Sequence, residues 1–447
     1  MQAILCFVEE LQPGGSYNKR KKRKDREPDM ERFDVLVAGG GFAGAAAAIA
    51  AARQGARVIL VEQYNCLGGA ACNALVNPFM PYGTHMPETG EWRALCNGIF
   101  AQVLSGLREM DALGNDGQTF DEEALKLLLN RMAIQAGVRL LFHAQIAQAQ
   151  AENGEIQSVL CATPGGMITL EADTYIDATG DGTLSMLAGC AFQLGRERDH
   201  LCQPMTLCFR MDQVDKEQFR QHRAEINPLY QQFQKEGKIK NIREDVLIFD
   251  TLHNGVLHFN STRIVRRDPT DAFDLTQAEI DAREQVDELW RFLRDNIPGF
   301  EHSRVLSTAL RIGARESRMI AGEYCLTQED LKACTKFSDG IAAGNYDIDI
   351  HNPEGSGTSH YYFAPGTWYT IPYRCLLPRD MKNLLVAGRC ISSTHEAQAS
   401  YRIMPIVCCI GEAAGTAAGV AHQAGVSLRD VDIAKVRTLL QAGGAPI

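Results

Sequence analysis

The stretch from Phe33 to Glu62 constrains what this chain can fold into more than any other. Phe33-Asp34-Val35-Leu36-Val37-Ala38 is a short apolar run with branched residues, which predicts a buried strand. Gly39-Gly40-Gly41-Phe42-Ala43-Gly44 follows at once in the pattern G-x-G-x-x-G. Ala45 to Arg53 is nearly all alanine, which predicts a helix able to lie close to a sheet. Gly55 ends that helix, and Arg57 to Val61 predicts a second buried strand, closed by Glu62. Each part has a physical task. Gly39 permits a tight turn, Gly41 lets the backbone approach a pyrophosphate, and Gly44 lets helix and strand pack closely. The helix N-terminus offers free N–H groups and a positive dipole end to phosphates. The Glu62 carboxylate stands where it can accept hydrogen bonds from a ribose.

A basic run, Lys19 to Lys24, lies in residues 1–29, which lack apolar periodicity and are expected to be a disordered tail. Seven basic and five acidic residues give that tail +2, so the total of −10 leaves the remaining chain at −12. An acidic body argues against nucleic acid as the main partner. No apolar run reaches the roughly 18 residues of a membrane span, so no membrane partner is expected. The 14 cysteines include no CxxC pair and no disulfide framework. Free thiols in a reducing cytoplasm are the simplest reading.

Past Glu62, the paired glycines Gly68-Gly69 let backbone pass close to something flat or bulky. Residues 76–92 read as loop, and Trp92 to Met110 as helical. Phe120 to Gly137 predicts a helix capped by Asp121, and Val138 to Phe142 a third strand. Residues 144–172 predict three short antiparallel strands, and Thr174 to Ala178 a separate strand entering Thr179-Gly180-Asp181-Gly182. Farther on, Val246 to Phe259 predicts strands, and Thr276 to Leu293 a helix capped by Thr276. Thr308 to Glu323 places Arg311, Arg315 and Arg318 at helical spacing, either as a solvated face or as ligands for an anion. Asp347 to His351 alternates like a strand with one wet face and lacks a clear further metal ligand, so no metal is expected. Asn383 to Arg389 predicts a buried strand ending in Gly388-Arg389. Ser392 to Glu396 reads as a polar loop, and Met404-Pro405 opens a helix.

The strand, meander and Ala178-Thr179-Gly180-Asp181 turn resemble those of the glutathione-reductase-like FAD flavoproteins. Together with Gly313 to Arg318, Ile371 to Arg374, Ala387 to Ser392 and Tyr401 to Pro405, they resemble the bacterial FAD-dependent oxidoreductases over most of residues 30–425. The resemblance implies an α/β fold: a three-layer (ββα) Rossmann-like domain of the FAD/NAD(P)-binding kind, with an inserted mixed α+β substrate or cap domain. The expected division is residues 30–194 and 376–447 for the FAD-binding part, with an excursion over 76–118, and 195–375 for the insert. The cofactor implied is FAD, held without a covalent bond. Its expected contacts are Gly39, Gly41, Phe42, Ala43, Gly44, Glu62, Gln63, Gly68, Gly69, Ile146, Ala178, Thr179, Gly180, Asp181, Gly388, Arg389, Ile403 and Met404.

The expected reaction is hydride transfer between flavin N5 and a small organic substrate. An electron-transfer subunit with a redox partner protein, or a flavin monooxygenase, is the alternative. A flavin acting on a C–H bond needs a group to handle the substrate's proton. His395 is the leading candidate, with Tyr401 and His351 behind it, because histidine titrates near neutral pH. Arg402 and Arg374 are expected to hold an anionic group or the charge of the reduced ring.

Overall fold

The computed structural model describes residues 32–447, so the basic tail expected over 1–29 lies outside the described residues. Strand Arg32–Ala38 lies in the middle of a parallel sheet, paired with Val58–Val61 on one side and with Gly166–Asp177 on the other. Arg139–Leu141 extends the sheet beyond Val58–Val61, and Leu384–Val386 joins it beside Gly166–Asp177. Helix Glu122–Gln135 forms as expected, because the Asp121 carboxylate accepts the backbone N–H groups of Glu123 and Ala124 at 2.8 and 3.0 Å. The meander is Gln145–Glu152, Glu155–Thr163 and the start of Gly166–Asp177, paired antiparallel.

Here one expectation is corrected. The last meander strand and the strand expected from Thr174 are one unbroken element of 12 residues. Its first part pairs with the meander and its second with Arg32–Ala38 and Leu384–Val386, so no turn is needed between them. Trp92 to Met110 is likewise divided, into strand Trp92–Ala94 and helix Ile99–Glu109.

Residues 195–375, expected as one insert, divide between two cores. A second apolar cluster runs from Met205 to Ile312, whereas residues such as Ile341, Tyr369 and Leu376 pack into the first. The second core lies beneath a four-stranded antiparallel sheet, in the order Ile248–Asp250, Leu257–Phe259, Phe209–Asp212, Arg304–Thr308. Helix Ala272–Asn296 packs on that core and is capped by Asp271 rather than Thr276, whose hydroxyl instead donates back to the Ala272 carbonyl at 2.7 Å. The two cores are tied by a buried bidentate ion pair between Arg210 and Glu122.

Thr308 to Glu323 is not a helix. Its backbone pairs with other segments instead: Gly313 exchanges hydrogen bonds with Thr206, Arg311 N–H donates to the Asn73 carbonyl, and Ile320 N–H to that of Cys390. Tertiary pairing overrides the arginine periodicity there. The expected C-terminal helix is Met404–Ala424, the single helix among the described residues long and apolar enough to cross a bilayer, and it is 94% buried in the fold.

The second core contains a group that makes stability depend on pH. His258, on strand Leu257–Phe259, is 1% exposed, and neither ring nitrogen has a partner. Burial first, and Arg210 second, push its pKa down to about 3. An unfolded histidine titrates near 6.5. Below that pH the unfolded chain binds a proton that the folded chain refuses, so stability falls as pH drops from about 6.5 towards 3. For one such group the slope reaches about 1.4 kcal/mol per pH unit. His258→Leu should narrow the gap between urea midpoints measured at pH 8 and pH 5. An unchanged gap would remove His258 as the cause.

Candidate active site

A cavity of about 550 Å³ lies where the glycine turn, the start of helix Met404–Ala424 and the edge of the second core meet. One half is lined by residues of the first fold unit: Gly39, Gly41, Phe42, Ala43, Glu62, Gln63, Gly68 and Gly69. Ala178, Thr179 and Gly180 adjoin them, as do Gly388, Arg389, Ile403 and Met404. Gly39 has φ +94°, and a Cβ there would lie 2.6 Å from the Ala178 carbonyl oxygen, so the turn itself requires glycine. Gly41 is different. Its φ of −64° suits any residue, and a Cβ would meet nothing nearer than the Gly69 Cα at 3.9 Å. The protein makes no demand for glycine at this point, and Gly41 faces open space in the cavity.

Two helices begin at this half of the cavity, Phe42–Arg53 and Met404–Ala424, and neither has a side-chain N-cap. Their first N–H groups remain free for an anionic ligand. The buried Nε atoms of Arg389 and Arg402 also lack partners. Glu62 accepts the Gly40 N–H at 2.5 Å and the Tyr64 N–H at 2.8 Å. Burial raises its pKa against those bonds. The residues present therefore fit a dinucleotide.

Three expected contacts do not line the cavity. Gly44 packs instead, since a Cβ would collide with the Gly39 carbonyl oxygen. Ile146 is a core residue of the meander, 7% exposed. Asp181 lies behind the wall, where it pairs with Arg389 and accepts the Ser317 hydroxyl at 2.8 Å. Burial alone would raise its pKa, but Arg389 and Arg311 outweigh burial and hold it below the usual carboxylate range.

The other half of the cavity is polar and draws on both cores. Strands Ile348–His351 and Thr358–Tyr361 form a hairpin that sets His351 opposite Thr358 and Asp349 opposite His360. The face expected to be wet turns to the cavity, so Asp349 is 7% and His351 9% exposed. His351 Nε2 lies 3.3 Å from Asp349 and its Nδ1 lies 3.1 Å from the Thr358 hydroxyl. Burial first, then Arg315, push the His351 pKa down to about 3. Asp349 is held well below its usual range, because His351, Arg402 and Arg315 outweigh its burial. Arg402 donates to Asp349 at 3.2 Å. Arg243, Tyr346, Thr358 and His360 also line this half, and sequence reasoning missed all four. The turn-rich run Asn352 to Gly357 was the available signal, because it marks the hairpin that brings Thr358 and His360 across from His351 and Asp349.

Three catalytic candidates lie off the cavity wall. His395 is not in a loop but opens helix His395–Tyr401, and its Nδ1 donates to the fully buried Glu316 at 2.7 and 2.9 Å. Tyr401 is wholly buried, with its hydroxyl 2.7 Å from the Ser393 hydroxyl and donating to the Arg389 carbonyl at 3.1 Å. Arg374 pairs with Asp339 at 2.9 Å and covers the Tyr324 ring.

A family model described as FAD dependent oxidoreductase matches residues 34–440. None of the curated proteins compared is a match by sequence. Solved structures of similar shape include a geranylgeranyl bacteriochlorophyll reductase-like protein from Thermoplasma acidophilum. It is 14% identical, with TM-score 0.48, covering 92% of this chain and 84% of that one. p-Nitrophenol 4-monooxygenase from Pseudomonas putida DLL-E4 is 13% identical, with TM-score 0.46, covering 93% of this chain and 87% of that one. A flavin-dependent brominase is 11% identical, with TM-score 0.47, covering 93% and 85%.

The two glycines of the turn should fail in different ways. Gly41→Val fits the protein but fills the ligand's space, so it should carry no flavin and unfold at the temperature of flavin-free wild type. Gly44→Ala drives a methyl into backbone and should lower stability by about 1–3 kcal/mol. Flavin absorbance and thermal melts of the two purified variants check this.

Proposed function

The chain belongs to the FAD dependent oxidoreductase family, and on that premise we propose that it transfers a hydride between its FAD and a small organic substrate held in the polar half of the cavity. Bound FAD supplies the two-electron chemistry. The chain's own residues bind the substrate, keep water out and move its proton.

The observation that carries this reading is the His351–Asp349 pair in a cavity wall shared with the start of helix Met404–Ala424. Asp349 is ionised and accepts the Nε2–H of His351, which leaves the lone pair on Nδ1. The Thr358 hydroxyl lies between Nδ1 and Glu244, at 3.1 Å from each, and its single proton serves one acceptor at a time. A proton leaving the substrate reaches Nδ1 by way of that hydroxyl as the hydride departs; in the reverse direction it returns by the same route. His351 is neutral at pH 7, the protonation state that a base requires, and its depressed pKa makes it a weak base until the charge around it changes. His395 serves as support for the wall through Glu316. The cytoplasm suits this reading, because the cysteines among the described residues are all free thiols.

The test begins with anaerobic screening of hydroxy acids, sugars, amines and enoates for bleaching of the flavin. With a compound that bleaches it, His351→Gln should slow bleaching by about 10²-fold or more at unchanged FAD content. His395→Gln should stay within several-fold of wild type. Equal rates for His351→Gln and wild type would sink the assignment, and a larger loss for His395→Gln would return the role to His395.

A further inference from the structure

Arg315 makes no ion pair, although the Asp349 carboxylate lies near enough to attract it. It lines the cavity wall and is partly buried. Nη1 donates to the Pro204 carbonyl at 2.8 Å and to the Thr206 hydroxyl at 2.6 Å, and Nη2 to the Asn260 amide oxygen at 3.3 Å. All three acceptors are neutral. A guanidinium has five N–H donors, so these bonds leave Nε–H and one Nη2–H, the pair that meets a carboxylate as a fork.

Each acid of this half of the cavity already faces another cation, although the buried Oδ1 of Asp349 has no hydrogen-bond partner. Asp349 has Arg402, Glu244 has Arg263 at 3.0 Å, and Asp245 has Arg243 at 2.8 Å. The charges nearest Arg315 are Arg402 and Arg243, which repel it, and Asp349, which attracts it less strongly. Burial first, then those two arginines, push its pKa down to about 9, and it stays charged at neutral pH. A charge held this way in the cavity wall is unfavourable until an anion reaches it.

We propose that the polar half of the cavity is a carboxylate subsite, with the free edge of the Arg315 guanidinium holding a carboxylate of the substrate. This rests on the reading of the cavity as the site of flavin chemistry, and it narrows the substrate to small organic acids. It also links binding to proton transfer. Arg315 is the second cause of the low His351 pKa, so a carboxylate on Arg315 weakens that repulsion and makes His351 a stronger base when substrate is present.

The experiment uses the purified holoprotein at constant ionic strength, after its flavin content has been measured. Protein without flavin would overturn the functional reading before any titration begins. Succinate and benzoate are then titrated against the flavin absorbance band, beside the neutral isosteres succinamide and benzamide. The expected result is a saturable difference spectrum with at least one carboxylate and none with its amide. Arg315→Gln should keep its flavin and its melting temperature and weaken that carboxylate about tenfold or more. Arg315→Lys keeps the charge without the fork and should weaken it by less; if Arg315→Gln does not fold, the lysine variant and the carboxylate-against-amide comparison carry the test. Four results overturn the subsite while leaving the flavin reading intact. They are equal binding of acid and amide, no perturbation by either carboxylate, wild-type affinity in the folded variants, or loss of flavin from Arg315→Gln, which would make Arg315 a cofactor ligand.

Discussion

The structure depends on how closely two helices can approach. Phe42–Arg53 presents alanines, and Met404–Ala424 presents Gly411 and Gly415, where a Cβ would collide with the Ala43 and Ala47 carbonyl oxygens. Backbone therefore packs on backbone, and no side chain separates the pair. Because both helices begin at the same cavity, this contact brings two uncapped N-termini, far apart in sequence, to one ligand. A bulky residue at either glycine would push the second terminus away from the first. The alanine run, whose hydropathy alone says little, is what permits the approach.

The glycine-lined half of the cavity was legible because its signals are local. Gly39, Gly41 and Gly44 stand in one turn, Glu62 ends the next strand, and Gly388-Arg389 ends another. Each is read from a few adjacent residues, and the fold brings these strand ends together as any parallel sheet does. Even here the residues divide by task. Gly41 faces open space, Gly44 serves only packing, and Asp181 acts through Arg389. The pattern gave the positions without separating these tasks.

The polar half was not legible in the same way, because its geometry is made by pairings across long distances in the chain. His351 meets Thr358 through a hairpin register, and Arg315 meets Thr206 and Asn260 through a segment whose backbone is held by Thr206. The spacing of Arg311, Arg315 and Arg318 suggested one helix face. In the irregular chain Arg311 and Arg315 both line the cavity, Arg311 lying towards the Asp181 carboxylate, while Arg318 donates to the Asp181 carbonyl. No local periodicity encodes that outcome.

Arg315 and Glu316 are adjacent in an irregular segment, yet their side chains serve different surroundings. Arg315 lines the cavity, while Glu316 turns into the protein and takes both the His395 ring N–H and the Gln203 backbone N–H, the latter at 2.8 Å. The Gln203 side chain in turn donates to Gln398 at 3.1 Å and accepts the His351 N–H at 3.4 Å. His395 and His351 therefore belong to one hydrogen-bonded frame, at opposite ends of it. His395 is committed through Nδ1 to a buried carboxylate, which fixes its ring, and it does not line the cavity. His351, at the other end, keeps its ring in the wall. The histidine in the polar Ser392 to Glu396 run therefore holds the frame, and the hairpin histidines, His351 and His360, are the ones that line the cavity.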